Sequence, residues 1–203
     1  MTYVMPKAIQ PTNVYAGAIW EYEDIWPNPE TTIEAIEWED KKVNSFKQAV
    51  TKGGMKGYRT NSNMSLSEWA ENNETFRKIN NDYFLRVYSA SLTYAEFFEL
   101  PALHHVEGYN ILRYQTGEEY KAHFDGGLND PRLVSPIIYL NDDYEGGELE
   151  FVHHKVKIKP KAGALYLFPS NYSYSHIAHP VTEGTKYAIV TWLYPEGASA
   201  PQQ

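Results

Sequence analysis

The second half of the chain is a series of short segments with high β-propensity, separated by glycine, proline, asparagine and aspartate. After Pro101 the segments are "YNILRY", "RLVSPIIYL", "ELEFV", "KVKIK", "GALYLF" and "KYAIVTWLY". Several short strands in succession are typical of a sandwich or barrel, jelly rolls included. The pattern therefore predicts a β-sandwich core over about residues 101–195.

The first hundred residues carry helical patterns instead. Asn28 and Pro29 are typical of a helix start, and the apolar stripe that follows runs to a stop at Gly53 and Gly54. A second helix is predicted from about Glu74 to Leu100. The apolar positions that define the two stripes are Ile33, Ile36, Val43, Phe46 and Val50, then Phe76, Ile79, Tyr83, Val87 and Tyr94.

The segment between the two helices, about residues 53–73, is rich in Asn, Ser and Gly, which predicts a long surface loop and a candidate lid. We therefore expect one domain over residues 1–203. Its fold would be mainly β with N-terminal helices, in which a helical support and lid loop (about 1–100) pack on a jelly-roll core (about 101–195).

Composition excludes several classes of protein. A net charge of -8 argues against a non-specific nucleic-acid binder, which needs a basic surface. No apolar run approaches the roughly 20 residues of a membrane span, and the start "MTYVMPKAIQ" lacks the layout of a secretory signal. With no cysteine, a reducing, cytoplasmic location is predicted, and any metal site must use His, Asp or Glu.

One pair of residues has the spacing of metal ligands. His123 and Asp125, in "YKAHFDGG", are two apart, so on a strand both side chains lie on one face. An imidazole and a carboxylate are two of the three ligands in a two-His, one-carboxylate facial triad. The motif is short, however, and an exposed polar turn is equally compatible with it.

A third ligand would have to come from another part of the chain. A later strand brought alongside the first favours "SHIAHPV", but spacing does not separate His176 from His179. The pair His153 and His154 is better interpreted as a solvated strand end.

Lys186 begins the segment "KYAIVTWLY", whose alternation puts Lys186, Ala188, Val190 and Trp192 on one face. A buried lysine on such a face needs an anionic partner, because an unpaired buried charge is costly. A lysine at the open end of a strand would simply be solvated. Both interpretations fit these residues.

Four segments in order resemble the Fe(II)- and 2-oxoglutarate-dependent dioxygenases, specifically the prolyl 4-hydroxylase family. They are "YQTGEEYKAHFD", "RLVSPIIYLNDDYEGGELEF", "PKAGALYLFP" and "HIAHPVTEGTKYAIVTW". "YRTNSNMSL" also resembles the family's Arg-Thr-Ser stretch. The resemblance implies a double-stranded β-helix (jelly roll, cupin-like) core. It also implies Fe(II), 2-oxoglutarate and O2, with ascorbate in support, and hydroxylation of a proline in a peptide or protein substrate with release of succinate and CO2.

The resemblance also implies roles for individual residues. His123, Asp125 and His176 match the catalytic iron ligands, His176 because Pro180 follows it by four residues, and His179 matches no ligand. The cosubstrate-binding residues would be Lys186, Tyr139 and Tyr114, of which Lys186 and Tyr139 bind the distal carboxylate.

A further set of residues would bind the substrate proline. Arg132 matches an arginine that holds the substrate backbone, and Tyr120 and Trp192 match aromatic residues around the proline ring, although both would also suit a core. Leu149 departs from collagen-type members, which often have threonine after Gly-Gly-Glu, and resembles the oxygen-sensing branch.

Three alternatives stay open at this point. The same iron chemistry could act on another residue or on a small molecule. A nucleic-acid demethylase is disfavoured by the acidic charge. A jelly roll that keeps the pocket as a non-catalytic binding module is the alternative from a different class.

Overall fold

The computed structural model describes residues 7–50, 56–105, 107–127 and 130–198. The helices in these residues are α1 (Pro29–Val43), α2 (Leu66–Ala70) and α3 (Glu74–Phe97). The strands before α3 are β1 (Asn13–Tyr15), β2 (Ile19–Tyr22), β3 (Lys47–Gln48) and β4 (Ser62–Ser65). After α3 come β5 (Leu103–His105), β6 (Asn110–Tyr114), β7 (Tyr120–His123), β8 (Val134–Tyr139), β9 (Glu145–Gly146) and β10 (Leu149–Phe151). The last strands are β11 (Val156–Ile158), β12 (Leu165–Pro169), β13 (His176–Ala178), β14 (Val181–Glu183), β15 (Lys186–Val190) and β16 (Leu193–Pro195).

Most of the strands form two antiparallel sheets that face each other, and β9 and β14 pair separately. The major sheet has the order β1-β2-β12-β8-β15-β6-β4-β3, with β16 joined to β8 and β5 paired with β16, and the minor sheet has the order β11-β10-β13-β7. Between them lies an apolar cluster to which both sheets contribute, including Tyr139, Phe168 and Ala188 from the major sheet and Leu149 and Phe151 from the minor one. This is the sandwich that the β-rich segments predicted.

The helices cover the opposite face of the major sheet. The five apolar residues predicted for the stripe of the second helix, now α3, are all buried in a cluster with Ile111, Ile138 and Ile189. The hydroxyl of Tyr83 in that stripe donates to the carbonyl of Pro136 on β8, at 3.2 Å. The major sheet is therefore buried on both faces, and only its inner face can contribute side chains to a cavity between the sheets.

The first helix is shorter than predicted. Pro29 is its first residue, but Asn28 has a left-handed backbone (φ 50°) and makes no side-chain cap bond. The helix ends at Val43, ten residues before Gly53, because the Asp40 carboxylate accepts the backbone N–H groups of Ser45 and Phe46. Phe46 is still a core residue, but it lies outside the helix.

The predicted surface loop is wrong for half of its described part. Residues 51–55 lie outside the described residues, but β4 and α2 occupy 62–70 of the segment. Buried Met64 and Leu66 anchor it, and β4 pairs with β6. Two apolar residues give too little periodicity to predict a strand, whereas pairing with a neighbouring strand supplies the stabilisation.

The N-terminal part also contributes β1 and β2 to the major sheet, where β2 pairs with β12, so it is not purely a helical layer. Similarly, "KYAIVTWLY" is two strands. The chain changes partners after Val190, because β15 pairs with β6 and β8 whereas β16 pairs with β5 and makes one contact with β8.

No helix among the described residues is long and apolar enough to cross a membrane.

Candidate metal centre and cosubstrate pocket

Three potential metal ligands converge at the open end of the minor sheet. His123 is the last residue of β7 and His176 is the first of β13, and the antiparallel register pairs them directly. Their ring centroids lie 4.2 Å apart. The Asp125 carboxylate oxygens are 3.9 Å from Nε2 of each histidine, and the three potential ligand atoms all lie within 4.8 Å of one another. This set has the composition of a facial triad.

Hydrogen bonds orient each of the three side chains. Nδ1 of His123 lies 2.7 Å from the carbonyl of Lys121, and Nδ1 of His176 lies 3.1 Å from the carbonyl of Tyr174. A proton donated from Nδ1 to a carbonyl leaves the Nε2 lone pair free to bind a metal. The Ser135 hydroxyl donates to Asp125 Oδ2 at 2.6 Å. The arrangement therefore presents two imidazole nitrogens and one carboxylate to a common point.

The charge states of the cluster suit a divalent cation. Burial lowers the pKa of His123 well below its usual range, and His176 adds to the effect because two adjacent cations would repel. Burial alone would raise the pKa of Asp125, but His176, His123 and the hydrogen bond from Ser135 outweigh it, so the pKa is lowered. A neutral His123 beside an ionised Asp125 is the state in which these residue types bind metals.

The turn after Asp125 has no room for a side chain at Gly126. The backbone N–H groups of Asp125 and Gly126 donate to the Ser170 carbonyl, at 3.0 and 2.8 Å respectively. A Cβ on Gly126 would lie 2.5 Å from the backbone oxygen of Arg132, whereas a Cβ on Gly127 would meet only the Phe124 ring, at 3.7 Å.

We expect Gly126→Ala to lower the free energy of unfolding by about 1–3 kcal/mol, the usual cost of overpacking. Gly127→Ala is the matched control and should change it little. Chemical denaturation of both variants measures the difference. Equal stability of Gly126→Ala and the unsubstituted protein would contradict the close packing of this turn.

The second histidine of "SHIAHPV" lies elsewhere. Nε2 of His179 is 2.6 Å from the Glu150 carboxylate on the neighbouring strand β10, and its backbone N–H donates to Glu148. The alternatives left open by spacing are thus separated by geometry, because only His176 lies beside His123 and Asp125.

A cavity of about 350 Å³ extends from the three ligands into the space between the sheets. It is lined by Lys186, Tyr139, Tyr114 and Leu149, among others. Lys186 is only 1% exposed, and its Nζ donates to the carbonyl of Gly147 at 3.0 Å. Within the described part of the chain, no carboxylate lies within ion-pair distance of Lys186.

Burial lowers the pKa of Lys186 to about 7, and the charge of Lys159 adds to the effect. The ammonium group lies 4.4 Å from the ring centroid of Tyr114, whose face offers partial compensation. Lys186 is therefore buried, which is the first of the two interpretations of the sequence. An anionic ligand in the cavity beside it would stabilise its charge.

Arg132, Tyr120 and Trp192 also line the cavity. The Arg132 guanidinium lies 3.7 Å from the centroid of the Trp192 ring, and Tyr120 stacks on His123 with ring centroids 3.4 Å apart. Tyr120 and Trp192 are thus cavity-wall residues that are only partly buried.

Glu107 is a residue of this wall that the sequence did not indicate. Its carboxylate binds Nε and Nη2 of Arg132, both at 2.6 Å, and also accepts a hydrogen bond from Tyr194. Burial opposes the charge of Arg132, but the Glu107 carboxylate outweighs it and raises the pKa of Arg132. Part of the arginine's hydrogen-bonding capacity is therefore already in use. No sequence motif identifies Glu107, because its partner Arg132 is 25 residues away along the chain.

The comparisons with known proteins agree with this geometry. A profile described as the 2OG-Fe(II) oxygenase superfamily matches residues 109–194. The chain is 30% identical over 118 residues to the probable prolyl 4-hydroxylase 9 of Arabidopsis thaliana, which is 44% of this chain and 41% of that protein. It is 29% identical over 174 residues to the PKHD-type hydroxylase YbiX of Escherichia coli, which is 79% of this chain and 69% of that protein.

A solved structure matches as well. It is a prolyl hydroxylase from Trichoplax adhaerens in complex with a peptide fragment of the hypoxia inducible factor oxygen degradation domain. The TM-score is 0.73 at 17% identity, covering 89% of this chain and 85% of that one. At this identity the likeness shows the fold, which is the predicted double-stranded β-helix.

The profile match indicates the class of protein. Residues 109–194 match the 2OG-Fe(II) oxygenase superfamily, and the similar proteins include prolyl hydroxylases, which agrees with the family predicted from the four sequence segments. The matched superfamily implies Fe(II), 2-oxoglutarate and O2 as cofactor and cosubstrates. The chain spans about two fifths of the length of the Arabidopsis prolyl 4-hydroxylase it matches.

Proposed function

We propose that this protein is an Fe(II)- and 2-oxoglutarate-dependent dioxygenase that hydroxylates a proline in a peptide or protein, with release of succinate and CO2. The observation that carries the proposal is one cavity lined by a His-Asp-His cluster, an aromatic wall and a buried lysine that has no carboxylate partner among the described residues.

In this proposal His123, Asp125 and His176 hold the iron. Two imidazoles and one carboxylate would leave coordination positions open, and the hydrogen bonds to Lys121, Tyr174 and Ser135 keep them aimed at one point. The bound iron supplies the oxidation of 2-oxoglutarate and of the substrate C–H bond by O2. The protein's own contribution is to bind, orient and shield the reactants.

Lys186 and Tyr139 bind the distal carboxylate of 2-oxoglutarate in this proposal, with Tyr114 as the neighbouring wall. Support comes from the burial of Lys186 without a carboxylate partner among the described residues, a state that an anionic ligand would relieve. The buried hydroxyl group of Tyr139 is held protonated, because burial raises its pKa, and it can donate a hydrogen bond to a carboxylate.

The substrate proline would lie between Tyr120 and Trp192. A proline ring has apolar faces and no side-chain donor, so aromatic contact is the recognition open to it. Arg132, fixed against Trp192 by Glu107, would donate to a backbone carbonyl of the substrate through its remaining N–H groups. The names of the plant relatives and the peptide bound to the Trichoplax adhaerens enzyme support a peptide substrate. A cytoplasmic location stays a prediction from the sequence.

The test is incubation of the Fe(II)-loaded protein with 2-oxoglutarate and proline-containing peptides. We expect succinate formation together with a gain of one oxygen atom, which fragmentation mass spectrometry localises to proline. If succinate forms but only another residue or a small molecule gains oxygen, the prolyl assignment is wrong. If no succinate forms with any substrate, the chain is a binding module instead.

A further inference from the structure

Two asparagine side chains also line the cavity. Asn110 is on β6 and Asn63 is on β4, and both are half-buried. Among the described residues, neither side-chain amide has a hydrogen-bond partner. Asparagine is disfavoured in strands, so two of them on adjacent strands without a structural bond call for another explanation.

The register of the major sheet puts both asparagines on its inner face. Asn110 pairs with Val190 on β15, and Asn63 pairs with Leu112 on β6. Asn110, Leu112 and Tyr114 alternate along β6, so they share one face, which is also the face of Lys186. In contrast, Met64 and Ile111 point to the helices. The two amides therefore extend the cavity floor away from Lys186 as a groove in which Leu112 and Val190 lie beside them.

The dimensions of this groove fit an extended peptide. Strands β15, β6 and β4 are neighbours. At about 4.8 Å between strands, β4 is roughly 10 Å from β15, which an extended chain crosses in about three residues. A primary amide carries both a donor group and an acceptor, and a peptide group presents the complementary acceptor and N–H.

We propose that Asn63 and Asn110 form a subsite that hydrogen-bonds the main chain of about three residues flanking the target proline. The inference rests on the proposed function, because it takes a peptide as the ligand of this cavity. In this proposal the two side-chain amides make a long peptide bind more tightly than a short one. This effect does not depend on Tyr120, Trp192 or Arg132. Since the contacts are to main-chain groups, the subsite selects for length and extended conformation rather than for side chains.

The test measures binding separately from turnover. Calorimetry with Mn(II)- and 2-oxoglutarate-loaded protein compares two capped probes, Ala-Pro-Ala and a nine-residue peptide with one central proline in polyalanine. We expect the longer peptide to bind about tenfold more tightly, equivalent to about 1.4 kcal/mol from two or more hydrogen bonds. The double variant Asn63→Ala/Asn110→Ala should lose this preference while it binds the short peptide as before.

Asn72→Ala is the matched control, since Asn72 is an exposed asparagine in the turn before α3. It should keep the tenfold preference. A double variant that keeps the preference, or loses affinity for both peptides equally, overturns the subsite. If the preference depends on the asparagines but neither peptide gains oxygen with Fe(II), the subsite stands and the proposed reaction is wrong. If both peptides are hydroxylated without any length preference, the reaction stands and the subsite is wrong.

Discussion

Replacing His176 with alanine is expected to abolish Fe(II)-dependent succinate formation, by more than about 100-fold. Loss of a hydrogen-bond partner of a ligand typically costs 10- to 100-fold in metal affinity or activity, and loss of a ligand should cost more. His176 lies within 4.8 Å of both other potential ligand atoms, so its removal leaves only two. Succinate release and the absorbance of bound Co(II), used as an iron substitute, measure activity and metal binding separately.

His179→Ala is the matched control for this experiment. His179 is three residues away on the same segment, but its imidazole contacts Glu150 rather than Asp125. We expect this variant to keep activity within about threefold and to bind Co(II) normally, since the half-buried contact with Glu150 involves none of the three potential ligands. Loss of Co(II) binding in His179→Ala with retention in His176→Ala would overturn the ligand assignment.

Lys186→Met is expected to weaken 2-oxoglutarate binding about 100-fold. The substitution keeps an unbranched side chain of nearly the same length but removes the charge that would lie opposite the distal carboxylate. A hydrogen bond to a charged group contributes roughly 1.5–3 kcal/mol, and about 1.4 kcal/mol corresponds to a factor of ten. Calorimetric titration of the Mn(II)-loaded variant with 2-oxoglutarate gives the affinity. Lys78→Met, which alters an exposed lysine on α3, should leave the affinity unchanged.

The pH dependence of this affinity provides a second signature of Lys186. The lysine of the free protein has a pKa lowered to about 7 by burial and by Lys159, and the carboxylate binds its protonated form. Below pH 7 the charge is already present. Above pH 7 binding must take up a proton, so the dissociation constant should rise by up to about tenfold per pH unit. Lys186→Met should show no such rise between pH 6 and 9. A flat profile for the unsubstituted protein would contradict the assignment.

Patterns that are local in the sequence predicted the structure well. Strand segments after Pro101 and the apolar stripe of α3 depend on alternation or helical spacing within a few residues, and the structure has them. Strands β2 and β4 were missed because their stability comes from partners distant in the sequence, β12 and β6. The end of α1 was missed for a different reason. One side chain, that of Asp40, ends the helix by accepting the next backbone N–H groups.

The site divides in the same way. His123 and Asp125 are only two residues apart, so the sequence alone predicted them as a pair of metal ligands. The hydrogen bonds from Arg132 to Glu107 and the positions of the Asn63 and Asn110 amides depend on which strands are neighbours, and no sequence motif identifies them.

By itself, the sequence predicted the superfamily, the class of cosubstrate and the residue types available for a metal. Spacing left open which histidine lies beside His123 and whether Lys186 is buried. The resemblance implied His176, and the tertiary structure decided both points. The physical reason is strand register. Pairing of β13 with β7 places His176 opposite His123, whereas His179 is directed to Glu150. Lys186 lies on the inner face of the major sheet, which removes its side chain from water and leaves its charge to be matched by a ligand.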